Sequence, residues 1–156
     1  MPIHHQGSAE EVQALDTFVK LSRATDALQA AVMRSLMAEE LTPTQFGVME
    51  ALLHLGPLRP KTLGQKLLKS GANITTVLDN LEKKGLLRRE ASAEDRRSLV
   101  VHLTPKGRKA IASIFPRHAE TITRLLGHLS AAEQADLSRL SKKLGLALRA
   151  APTTKE

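Results

Sequence analysis

The sequence predicts a mainly α-helical protein interrupted by one short β-hairpin, and three observations lead there. Leu and Ala recur along the 156 residues while aromatics make up only 2%, with no Trp or Tyr, a composition that favours helices packed by aliphatic side chains. Apolar residues fall at three- and four-residue steps over most of the chain, the period of a helix with one buried face. That period breaks once, between Leu86 and Leu103, where two strand-length runs flank a polar loop. A hydrophobic content of 42% at this length suffices for one domain with its own core.

From Glu10 to about Ala38, Val12, Leu15, Val19, Ala24, Leu28, Ala31, Val32 and Leu36 recur with no Gly or Pro between them, predicting a long amphipathic helix. A second helix starts at Thr42-Pro43-Thr44-Gln45, a capping box with proline in the first turn. It carries Phe46, Met49, Leu52 and Leu53 inward and stops at Gly56-Pro57. Lys61 to Leu68 reads as a short helix with Leu63, Leu67 and Leu68 apolar, in which Gly64 signals close helix packing at a cost of roughly 1 kcal/mol relative to Ala. After the break Lys69-Ser70-Gly71, helical spacing resumes from Ala72 to Lys84 and Gly85 ends it. Leu86–Glu90 and Leu99–Leu103 are the two strands, with Ala91 to Ser98 as the hairpin loop. Thr104-Pro105 restarts a long helix through Ile111, Ile114, Ile122, Leu125 and Leu126, which Pro116 either kinks or splits. A last helix begins at the capping box Ser130 to Glu133 and carries Leu137, Leu140, Leu144 and Leu148.

Short helix, tight turn, helix and hairpin in succession make residues 41–103 a winged helix-turn-helix domain with a two-stranded β-wing. It is embedded between N- and C-terminal helices, 10–40 and 104–150, which carry more apolar surface than so small a core can cover and are therefore expected to dimerise. Residues 1–9 and 151–156 are expected to be flexible tails.

The charge is uneven. Between Gly56 and Ala110 there are thirteen Lys/Arg against five Asp/Glu, a net +8, whereas the rest of the chain has ten against eleven. A localised basic field attracts a polyanion; an even spread would only aid solubility. On the fourth helix, Ile74, Val77, Leu78 and Leu81 gather on the packed side, leaving Ala72, Thr75, Thr76, Asp79, Asn80 and Lys83 opposite, with Asn73 at the edge. Thr can touch a thymine methyl or accept from a base, and Asn can bridge the N6/N7 edge of adenine. Ser70 to Asn80 is thus the candidate major-groove segment, with Lys61, Lys66 and Lys69 set for phosphate. Arg88 and Arg89 add positive charge beside the wing. Arg96 and Arg97 at the wing tip are suited to backbone and minor groove, with Asp95 holding one of them by a charge-assisted bond.

The residues also exclude. Without Cys there is no disulfide framework, thiolate metal site or cysteine chemistry, and a reducing compartment fits. No run approaches a membrane span and the first residues lack a signal-peptide core, so a cytoplasmic protein is expected. None of the six His pairs at i, i+4 spacing, so no metal site or other cofactor is expected. No phosphate cradle or activated nucleophile points to an enzyme.

The run from Leu41 to Ala110 resembles the MarR family of regulators. The likeness is carried by Leu63 through Thr76, by Leu81-Glu82-Lys83-Lys84-Gly85-Leu86-Leu87-Arg88-Arg89, and by the wing signature Asp95-Arg96-Arg97-Ser98-Leu99 through Thr104-Pro105-Lys106-Gly107. Gly64 departs from the Ala more usual there. The resemblance implies a homodimer that binds double-stranded DNA at pseudo-palindromic operators and usually represses, with Arg97 as the minor-groove residue and Asp95 its support. Recognition helices about 34 Å apart would enter successive major grooves. It also implies release by a small effector, often phenolic or anionic, in a pocket for which Met49, Leu53, Ile114 and His118 are the candidate lining residues. The absence of Cys and Trp sets the chain apart from the thiol-sensing and urate-responsive branches. The competing reading is a winged-helix protein–protein module with only non-specific DNA affinity.

Overall fold

The computed structural model describes residues 5–92 and 98–150. α1 (Ala9–Leu36) begins on a reciprocal cap: Ser8 Oγ accepts from the Glu11 N–H at 3.2 Å, and the Glu11 carboxylate accepts from the Ser8 N–H at 2.7 Å. A 3₁₀ turn, Met37–Glu39, closes the helix two residues earlier than its periodicity suggests. α2 (Pro43–Leu55) starts on the predicted box, with Thr42 Oγ1 accepting from the Gln45 N–H and Gln45 Oε1 from the Thr42 N–H. Its Phe46, Val48, Met49 and Leu52 are buried, and Leu53 packs against them.

α3 (Pro60–Leu67) and α4 (Gly71–Lys83) follow. Leu68 is not part of the α3 apolar face: it stands outside the helix at φ 55° and is exposed. α4 starts one residue earlier than the spacing suggests because Ser70 caps it, its Oγ accepting from the Asn73 N–H at 3.3 Å. Gly64 is buried where a Cβ would press on the Lys69 carbonyl and Ile74, which is why the chain tolerates a glycine inside α3.

β1 (Leu87–Ala91) and β2 (Leu99–Leu103) pair antiparallel with Leu87 opposite Leu103 and Arg89 opposite Val101. Leu86, expected to open the first strand, is a turn residue: its N–H donates to the Leu81 carbonyl, and its own carbonyl accepts from the Thr104 N–H. Leu58 bridges Val101 from the other side. α5 (Pro105–Leu126) is one continuous helix, so Pro116 does not split it. The carbonyl that proline deprives, at Ala112, lies on an exposed face where water can satisfy it.

The chain divides into two compact units, one ending at Ala119 and the other beginning at Glu120. The core of the first joins Leu36, Phe46, Met49 and Leu52 to Leu63, Ile74, Leu78, Leu81, Leu87, Val101, Ile111 and Ile114. Its α5 end is fixed by Thr104, whose Oγ1 accepts from the Gly107 N–H and donates to the Gly85 carbonyl, and by Gly107, where a Cβ would run into the Leu86 carbonyl. In the second unit α6 (Ala131–Ala150) starts at the Ser130–Glu133 box, and Gln134 Nε2 donates to the Leu126 and Leu129 carbonyls. Bonds from the Ser130 N–H and then its hydroxyl hold the Glu133 carboxyl below its ordinary range. Among the described residues no helix is long and apolar enough to cross a membrane, and no cluster of His, Asp or Glu could hold a metal.

Candidate nucleic-acid interface

The back of α4 anchors it: Ile74, Leu78 and Leu81 are buried and Val77 packs beside them. That leaves the opposite side in solvent, and Ala72, Asn73, Thr75, Thr76 and Asn80 are all exposed there, as their spacing suggests. The threonines have already committed their hydroxyl hydrogens. Thr75 Oγ1 donates to the Gly71 carbonyl at 3.0 Å and Thr76 Oγ1 to that of Ala72 at 3.2 Å. What each can offer a base is therefore a methyl group or an acceptor lone pair, which narrows their chemistry toward thymine methyls and amino groups.

Lys61, Lys66 and Lys69 are exposed before this helix, and none forms an ion pair among the described residues. Ser70 lies between them and the helix face as its cap, so its hydroxyl works on backbone first. The N-terminal turn of α4 and these ammonium groups thus share one positive region of the surface.

Arg89 departs from its expected place beside the DNA charge. Its Nε donates to Glu82 Oε2 at 3.0 Å, its terminal nitrogen reaches both Glu82 and Asp79, and its backbone N–H donates to Glu82 Oε1 at 3.0 Å. The side chain is only 23% exposed. Hydrogen bonds from Arg89, ahead of the cost of burial, hold the Glu82 carboxyl below its usual range, and the two carboxylates raise the guanidinium further. Arg89 is a brace between β1 and α4, and Asp79, expected on the open face, is its second anchor. The sequence signal is visible in retrospect. Gly85 reverses the chain, so residues seven and ten positions apart meet. On the wing, Arg88 pairs with Glu90 at 2.7 Å, and His102 Nε2 stands 3.5 Å from the same carboxylate.

The wing-tip residues Asp95, Arg96 and Arg97 lie outside the described residues. Of the candidate effector residues, Met49 and Ile114 are in the core, Leu53 packs against it, and His118 stacks on Phe46 with ring centroids 4.2 Å apart. His118 Nδ1 is buried without a hydrogen-bond partner. A separate cleft of about 560 Å³ runs among Glu39, Leu41, Lys84, Leu86, Lys106 and Ile114, so Ile114 is the one candidate that borders it.

A sequence model described as the MarR family matches residues 41–99. The HTH-type transcriptional regulator YkoM of Bacillus subtilis is 37% identical over 138 residues, spanning 88% of this chain and 90% of that protein. The HTH-type transcriptional regulator MhqR of the same organism is 36% identical over 134 residues, 86% of this chain and 92% of its own. Among solved structures, BpsR of Bordetella bronchiseptica superposes with a TM-score of 0.75 at 25% identity, covering 83% of this chain and 98% of that one, in a study of how 6-hydroxynicotinic acid regulates its DNA binding.

Proposed function

The chain belongs to the MarR family of DNA-binding transcriptional regulators, not to an enzyme family, and we propose that it is a homodimeric repressor released from a pseudo-palindromic operator by a small aromatic or anionic effector. The observation that carries the DNA reading is α4 itself, buried along its back, braced by Arg89 and open along Asn73, Thr75, Thr76 and Asn80. In this reading Lys61, Lys66 and Lys69 take phosphates, and Ala72, Asn73, Thr75, Thr76 and Asn80 read bases with Ser70 fixing their helix. Arg96 and Arg97, supported by Asp95, take the backbone and minor groove.

Dimerisation through 10–40 and 104–150 is supported by apolar residues the chain leaves uncovered, Leu15, Phe18 and Leu21 on α1 and Leu137, Leu140 and Leu144 on α6. The effector reading draws on BpsR and on the bare His118 Nδ1 beside Phe46, a buried polar atom that a ligand's hydroxyl or carboxyl would satisfy. Met49, Leu53 and Ile114 would supply the apolar wall.

The test is selection of genomic fragments by the full-length protein, followed by titration of one selected duplex over a range of salt. A repressor of this kind gives log K falling linearly with log salt and loses affinity when an aromatic acid such as 6-hydroxynicotinic acid or salicylate is added. Weak binding to every duplex alike would instead favour the protein–protein module.

A further inference from the structure

The turn before the recognition helix holds an unusual residue. Leu68 has φ 55° and ψ 40°, the left-handed region that a residue with a Cβ enters at a cost. The same molecule shows the ordinary solution seventeen residues on, where Gly85 ends α4 at φ 69°. Burial of the Leu68 side chain does not repay the strain. The side chain is 68% exposed, so it gains little from burial, whereas its neighbour Leu67 packs on the core. The backbone geometry itself, with the Leu68 and Lys69 N–H groups turned to the Gly64 carbonyl, would be made more easily by Gly or Asn.

A strained, exposed apolar residue is kept where its side chain is used. Leu68 is followed directly by Lys69, the cap Ser70 and the open α4 face with Ala72, Thr75 and Thr76, all exposed. We infer that Leu68 is a specificity residue whose side chain packs on the C5-methyl of one thymine in each operator half-site. Thymine is the base whose major-groove edge offers an apolar group, so an exposed aliphatic side chain in the turn leading into this face would select for it. The inference rests on the DNA-binding reading above.

The experiment takes a duplex recovered by the full-length protein from a randomised pool and replaces its thymines one at a time, in both half-sites, by deoxyuridine, which removes only the methyl group. Wild-type protein should lose about fourfold per methyl at one position, the factor for uncovering one methylene-sized group, hence about sixteenfold for the two half-sites. Leu68→Asn and Leu68→Gly should bind the parent duplex more weakly and be indifferent to deoxyuridine at that position, while melting at the wild-type temperature or above. Equal sensitivity of wild type and both variants, or no sensitive position, overturns the inference and leaves the family reading standing. A lower melting temperature in both variants also overturns it, since Leu68 would then serve the fold. Failure to recover any preferred duplex sinks both readings together.

Discussion

The helix-turn-helix lobe and the terminal helices use the same aliphatic residues to opposite ends. In the lobe, α2, α3, α4 and the hairpin bury Met49, Leu52, Leu63, Ile74, Leu78 and Leu81 almost completely and leave lysines, threonines and asparagine outside. On α1 and α6 several large apolar residues stay in solvent, Phe18 at 66% and Leu140 at 52% exposure, although Leu36 at the end of α1 joins the core. The lobe covers most of its hydrophobic pattern, with Leu55, Leu68 and Leu99 left exposed, and shows a basic, polar surface suited to an anionic partner. The terminal helices leave part of their apolar pattern uncovered, the surface that the proposed dimer would bury.

The strongest way to break that contrast is inside the lobe. Leu81→Ala, at a fully buried position on α4, should cost about 3 kcal/mol in chemical denaturation through lost burial and the cavity left behind. Next comes the opposite region: Phe18→Asp with Leu140→Asp should shift sedimentation from dimer toward monomer by more than about tenfold in Kd, while the circular dichroism of the lobe persists. A dimer unchanged by both substitutions would remove the role assigned to those faces.

Arg89→Met tests the brace that orients the reading face. Because Glu82 remains 37% exposed, the charge-assisted bonds are discounted for screening to about 1 kcal/mol. The sign follows from the direction of the shift. A carboxyl held below its ordinary range contributes stability above its unfolded value, near about 4.3, and that contribution disappears as pH falls through the lowered value. The wild-type advantage over Arg89→Met should therefore be full at neutral pH and fade as pH falls below the ordinary carboxylate range, measured by urea unfolding at each pH. The smallest effect is Thr76→Ala, whose loss of a methyl contact or acceptor should relax base preference at one position by about 1 kcal/mol in competition binding with little change in stability.

What could be read from the sequence divides along the range of the interactions. Thr42–Gln45 and Ser130–Glu133 announced two helix starts because a capping box is complete within four residues. The buried and open sides of α4 followed from its period alone. Leu68 could not be read as left-handed, because an apolar residue after Leu63 and Leu67 continues a helical pattern. Arg89 counted as one more positive charge until the turn at Gly85 brought Glu82 and Asp79 beside it. Pro116 left two outcomes open, and α5 runs through it as one helix, with the Ala112 carbonyl it deprives on an exposed face.

If α4 and its flanking lysines read DNA, the protein recognises one duplex in preference to others. The direct measurement is fluorescence anisotropy of the full-length protein on its selected duplex and on a scrambled duplex of equal length and composition, at about 150 mM salt. The selected duplex should be preferred at least about a thousandfold. Equal affinity for the two duplexes would contradict it.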